Sequence, residues 1–216
     1  MTIYRLTKEI VFPPPELADD DGLLAVGGNL SVDRLVLAYS MGIFPWYSGK
    51  SPILWWSPDP RLILFPKELK VSRSLQQTIK KDIYQVTTNA AFEDVIRNCA
   101  TITRKGEDGT WITDDMIEAY IRMHKAGYAH SVEAWDGDEL VGGLYGVIIG
   151  KAFFGESMFA KKSDASKVAF TTYALKLAEK GFELIDCQVK TAHMKRFGAR
   201  EISRTEFMKH LENALH

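Results

Sequence analysis

From Ala129 to Phe159 the chain runs through AHSVEAW, ELVGGLYGVII and KAFFGESMF, with almost nothing between them but Asp136-Gly137 and Gly150. Stretches so short and so rich in Val, Ile, Phe, Tyr and Trp read as strands, and Asp-Gly is a hairpin turn. Connections this tight join antiparallel neighbours. DASKVAFTTYALKLAEKG then reads as the longest helix, ended by Gly181, and FELIDCQV as one more strand. An antiparallel run, a long helix and a further strand predict an α/β (α+β) chain built on a mixed sheet with helices on both faces.

That order resembles the acetyltransferase scaffold that uses coenzyme A. Enzymes of that kind present a glycine-rich loop before the long helix, whose amides cradle the pyrophosphate. The corresponding stretch here, MFAKKSDASKVAF, has no glycine, and RKGEDG at 104–109 has its glycines wrongly spaced. The scaffold fits and the cofactor does not, so no cofactor is expected.

Upstream, SRSLQQTIKK, AFEDVIRNCAT and TDDMIEAYIRMHKAG read as helices, the last capped by Thr113, and RLILF and YQVTTN as strands. AHMKRFG and TEFMKHLENALH read as closing helices. Residues 1 to 61 differ, being rich in Pro, Gly and aromatics, with one helix signal, NLSVDRLVLAYSMG, capped by Ser31 and ended by Gly42. They predict a small N-terminal domain, followed by the main domain at 62–216. Within it, GIFPWYSGKSPILWWSPDPR packs Trp46, Trp55 and Trp56 at irregular spacing among prolines, which argues against a core strand.

The net charge of −1 excludes nucleic-acid binding by bulk charge and leaves two local basic segments, KELKVSRSLQQTIKK and VKTAHMKRFGAREISR. Cys99 and Cys187 have no zinc spacing, no apolar run reaches membrane-spanning length, and the N-terminus lacks a signal-peptide pattern. The expectation is a cytoplasmic, metal-free protein with no membrane partner. There is no G-x-S-x-G, phosphate loop or H-E-x-x-H, and the histidines organise no triad.

Two acids stand out. Simple alternation puts Phe154, Glu156 and Met158 on one face of their strand, and Phe153, Gly155, Ser157 and Phe159 on the other. Glu156 is then a carboxylate among apolar side chains, and Gly155 marks a bulge or a close approach. In FELIDCQV the same period puts Leu184, Asp186 and Gln188 together, with Asp186 and Gln188 roughly 6–7 Å apart. Taken alone, each acid serves an ion pair as well as a site; both lying on strands beside the same helix points to a shared site.

At this level DGLLAVGGNLS, GIFPWYSGKSPILWWSPDPR, GTWITDDMIEAY, AHSVEAW, ELVGGLYGV, FFGESMF, ASKVAF and LIDCQV, in order from residue 22 to 189, resemble the leucyl/phenylalanyl-tRNA–protein transferase family. HMKRFGAREISR resembles that family's His-x-x-x-x-Gly-Ala-x-x-Ile-x-Arg pattern. The resemblance implies an acetyltransferase-like catalytic domain that moves Leu or Phe, and Met less well, from its tRNA to proteins beginning with Arg or Lys. The product is read by N-end-rule degradation.

It further implies that Gln188, polarised by Asp186, holds the acceptor amine, and that Glu156 orients the donor amine or the acceptor side chain. Leu144, Met158, Phe170 and Tyr173 would line the donor slot, and Trp46 with Phe153 would take the terminal adenosine. Trp111 would border the same cavity, Tyr120 would contact substrate, and Lys80 and Lys81 would meet tRNA phosphates. Trp55 and Trp56 would pack the small domain on the main sheet. The chain departs from the pattern at Lys190-Thr191-Ala192, where Asn-Asp follows the Cys-Gln strand in the family. The alternatives are a coenzyme A-dependent N-acetyltransferase, which lacks its loop, and a non-enzymatic RNA-binding module, favoured only if Asp186, Gln188 and Glu156 are merely structural.

Overall fold

The computed structural model describes residues 3–49, 51–102 and 111–216; the RKGEDG string lies outside them. The first part holds β1 (Tyr4–Leu6), β2 (Leu23–Gly27), α1 (Val32–Ser40), β3 (Phe44–Pro45) and β4 (Leu54–Trp56). Its strands form a four-stranded sheet in the order β1-β2-β4-β3, parallel only between β1 and β2. Pro45 is tolerated because β3 is an edge strand. Trp55 corrects the sequence reading: it sits on a strand and is wholly buried, its Nε1 donating to the Gly27 carbonyl at 2.9 Å. Three-residue strands carry too little periodicity to be told from turns.

There follow β5 (Arg61–Leu64), α2 (Arg73–Lys80), β6 (Gln85–Thr88), α3 (Phe92–Thr101), α4 (Asp114–Lys125), β7 (Ala129–Asp136), β8 (Glu139–Ile149), β9 (Ala152–Ala160), α5 (Ala165–Glu179), β10 (Leu184–Asp186), α6 (Ala192–Arg196), β11 (Arg200–Ile202) and α7 (Arg204–Leu215). Their strands form a seven-stranded mixed sheet, β11-β5-β10-β9-β8-β7-β6, in which only β9 and β10 run parallel. The helix starts follow the sequence: Ser31 accepts from the Arg34 amide and Thr113 from the Met116 amide.

The sheet buries both faces. On the first, α1, α3, α4, α7 and the small sheet share one core, joining Leu24, Leu35 and Trp55 to Tyr145, Phe154 and Phe207. On the second lie α2, α5 and α6, with Leu75, Phe170 and Met194. Gly142 lets α5 approach β8, since a Cβ there would stand 2.6 Å from the Ala165 Cβ and 2.8 Å from the Ser166 amide.

Two irregularities shape the middle of this sheet. The register passes from Tyr145↔Ser157 to Gly146↔Gly155, so Glu156 is the extra residue of a bulge on β9. Opposite it a Cβ on Gly146 would fall 2.3 Å from the Phe154 carbonyl oxygen. The bulge corrects the expected alternation: Phe154 and Phe159 share the first face, while Phe153 and Met158 pack on the second. The second irregularity is that β10 stops at Asp186, paired to Phe154, whereas β9 continues to Ala160. Gln188 is in the left-handed region at φ 54°, so it is not a strand neighbour of Asp186 as the sequence suggested.

Candidate active site

The two strands part just beyond Phe154 and Asp186, and the polar side chains gather at that mouth. Glu156, re-aimed by its bulge, points to the first face, where α1 supplies Tyr39 and α4 supplies Tyr120. Tyr39 Oη lies 2.7 Å from Glu156 Oε1, and Tyr120 Oη 3.1 Å from Oε2. The two hydroxyls also touch each other. Gln188 Nε2 donates to Glu156 Oε1 at 3.4 Å from the other side of the mouth. Both tyrosines are buried; Glu156 and Gln188 are half-buried as residues.

Three oxygen–oxygen contacts close a ring between the carboxylate and two phenols, but the phenols hold only two protons. An ionised Glu156 leaves one contact without a proton; a protonated one fills all three. Burial pushes the Glu156 carboxyl up from 4.5 to about 7, against hydrogen bonds from Tyr39 and Tyr120 that favour the charged form. The Asp186 charge adds to the rise and Arg61 opposes it. Burial also lifts both phenols well above their ordinary value, which keeps them neutral donors. A half-buried carboxyl balanced near neutrality can hold and release a proton at physiological pH.

Asp186 behaves differently. Its oxygens take a bidentate grip from Arg61, Nε to Oδ1 at 2.9 Å and Nη2 to Oδ2 at 2.6 Å, and Oδ1 also accepts the main-chain N–H of Gln188 at 2.9 Å. Asp186 thus meets Gln188 through its main-chain N–H. The ion-pair partner is the first residue of RLILF, a cation in an otherwise apolar strand, which was the available signal for it. Tyr39 was also missed as a site residue: NLSVDRLVLAYSMG was read only as a helix, yet a buried phenol needs a partner.

Leu144 and Met158 are paired across β8 and β9 on the second face, and Phe170 and Tyr173 come down on them from α5. Phe153 belongs to this group, wholly buried and edge-on to Tyr173 at 5.2 Å. Among the described residues no ring contact joins it to Trp46. Trp46 is instead 42% exposed and leans on Trp56 at 5.7 Å, with Trp56 Nε1 donating to its carbonyl. Trp111 is half-buried against the first-face core.

Lys80 ends α2 and Lys81 caps it, and neither forms an ion pair among the described residues. In the second basic segment Lys190 and Lys195 are taken up by Glu201, and Arg200 by Glu68. No group of three or more His, Cys, Asp or Glu that could hold a metal occurs among the described residues, and no helix there is long and apolar enough to cross a membrane.

Comparison with known proteins brings these observations to one family. A family model described as leucyl/phenylalanyl-tRNA protein transferase matches residues 63–212, and that of its N-terminal domain matches 28–59. A leucyl/phenylalanyl-tRNA–protein transferase of Anaeromyxobacter sp. (strain Fw109-5) is 60% identical over 215 residues, covering 100% of this chain and 92% of its own. One of Syntrophobacter fumaroxidans is 60% identical over 208 residues, covering 96% of this chain and 89% of its own. Among solved structures, L-PGS of Bacillus licheniformis is similar at a TM-score of 0.41 and 11% identity, over 78% of this chain and 53% of that one, too slight to carry an argument. The chain belongs to the leucyl/phenylalanyl-tRNA protein transferase family.

Proposed function

We propose that this chain transfers Leu or Phe, and Met less well, from aminoacyl-tRNA to the α-amine of proteins beginning with Arg or Lys, marking them for N-end-rule degradation in the cytoplasm. The observation that carries the mechanism is the Glu156 carboxyl, raised to about 7 and linked to Gln188 where β9 and β10 part.

An aminoacyl ester is already activated; what the acceptor needs is a neutral amine in position. An α-ammonium has a pKa of about 7.7–8.0, so handing its proton to a group near 7 is uphill by only about 1 kcal/mol. Glu156 takes that proton. Gln188, whose Nε2 is turned to Glu156, offers its carboxamide oxygen to the amine and holds it on line. The nitrogen attacks the ester carbonyl carbon, the C–N bond forms and the bond to the ribose oxygen breaks. That oxygen leaves with the nitrogen's second proton, and Glu156 returns its own to solvent. Positioning supplies the rest of the acceleration.

Leu144, Met158, Phe170 and Tyr173, with Phe153 behind them, form the donor slot. It admits side chains unbranched at Cβ and adapts through Met158. Trp46 offers its exposed ring to the terminal adenine, Trp111 and Tyr120 border the cavity, and Lys80 and Lys81 meet phosphates.

The experiment is one incubation with labelled Leu-tRNA, or labelled acetyl-coenzyme A, and an Arg-initiated peptide. Label from Leu-tRNA on the peptide is the expected result. Label from acetyl-coenzyme A, or tRNA binding without transfer, would overturn it.

A further inference from the structure

The hold on Gln188 begins at Arg61, which grips Asp186 and not Gln188 itself. This guanidinium is 1% exposed, its partner Asp186 0%. Phe44 of the small sheet and Phe207 of α7 cover it, at 4.8 and 4.6 Å from the ring centroids. Such a pair is costly to desolvate, and its net contribution to stability is small even with good geometry. Both Asp186 oxygens are engaged, so the carboxylate is not free to act as a base.

What the pair does hold is a turn. Gln188 sits at φ 54°, a conformation that is strained for a residue with a Cβ and persists only where its surroundings impose it. Here Asp186 Oδ1 takes its N–H, and its carbonyl accepts the Leu62 amide at 3.1 Å, one residue after Arg61. From this clamp the side chain reaches Glu156. Arg61, Asp186, Gln188 and Glu156 thus form one continuous chain of contacts.

We propose that Arg61 is a positioning residue of the transfer reaction: gripping Asp186 with both prongs, it fixes the left-handed turn at Gln188 and so sets the carboxamide against Glu156. This rests on the transferase reading above. Lysine in its place keeps the charge but loses the fork.

The test is a cycle of four proteins: parent, Arg61→Lys, Gln188→Ala and the double variant, with kcat and KM measured for Leu-tRNA and an Arg-initiated peptide. Arg61→Lys is expected to lower kcat by about 10- to 100-fold, the effect of slight misplacement, and to leave KM for Leu-tRNA within about 2-fold. In the Gln188→Ala background the same change is expected to cost less than about 2-fold, because the group it positions is gone. Equal losses in both backgrounds, or no loss in either, would overturn the proposal. If Arg61→Lys does not fold, Asp186→Asn takes its place in the cycle. Hydrogen exchange at the Gln188 main-chain amide gives a second reading, expected to be at least about 10-fold faster in either variant; unchanged exchange counts against the clamp. An inactive parent refutes the transferase reading itself, whereas additive losses in an active parent refute only the role of Arg61.

Discussion

Replacing Glu156 by Gln should slow transfer and at the same time stabilise the protein, and the second effect carries the sharper number. The unfolded chain releases the Glu156 proton near 4.5 and the folded chain near 7. Between those values the folded state binds a proton that the unfolded state has lost, so stability falls as pH rises through the window. At about 1.4 kcal/mol per unit, the ionised carboxylate costs the fold about 3 kcal/mol above pH 7. Gln resembles the protonated form: its amide N–H donates to one phenol, that phenol to the other, and the second phenol to its oxygen. At pH 8 the variant should therefore unfold roughly 6–12 °C above the parent, at about 2–4 °C per kcal/mol for a chain of this length. At pH 5 the folded carboxyl is protonated while the unfolded one is still largely ionised, so the gap should shrink to about 1 kcal/mol, roughly 2–4 °C, and close only below about pH 4.5. Calorimetry of both proteins across this range measures it. A variant less stable than the parent at pH 8, or a gap that does not change with pH, would refute the assignment of a raised carboxyl. The base role is checked separately: transfer should fall about 10²- to 10⁴-fold, and a variant with full activity would refute it.

Trp46→Ala should raise KM for Leu-tRNA by about 10-fold, within the 1–3 kcal/mol typical of a base stacked on an aromatic ring, with little change in melting temperature because the ring is 42% exposed. Lys80→Ala/Lys81→Ala should weaken tRNA binding and lower the slope of log affinity against log salt by about 2, read from titrations at several salt concentrations. Gly142→Ala should cost about 1–3 kcal/mol in urea unfolding, since its Cβ would stand 2.8 Å from the main chain of α5 and that helix cannot easily give way.

What could be read from the sequence follows from how local each cause is. Caps, glycine stops and long apolar periods act within a few residues, which is why α1, α4, α5 and the β7–β8 hairpin stand where the pattern puts them. Glu156 and Gln188 emerged as site candidates because a polar group in an apolar strand needs a reason. The bulge at Glu156 did not follow from alternation, although Gly155 hinted at it; one inserted residue moved Met158 to the opposite face. The three-residue strand at Trp55 and the early end of β10 are set by pairing with distant strands, for which the local sequence has no signal. Arg61 and Tyr39 belong to the same class: each acquires its role from a partner over a hundred residues away.

That separation has a kinetic side. Tyr39 meets Glu156 across 117 positions of chain, and Arg61 meets Asp186 across 125. Contacts of such high order close long loops, and their entropy must be met before they return anything. The plate over Arg61 is completed by Phe207, on the last helix. Transfer competence should therefore appear late in refolding, after the β7–β8 hairpin and the helices. Recovered activity would then time the closure of the whole chain rather than the formation of any one part.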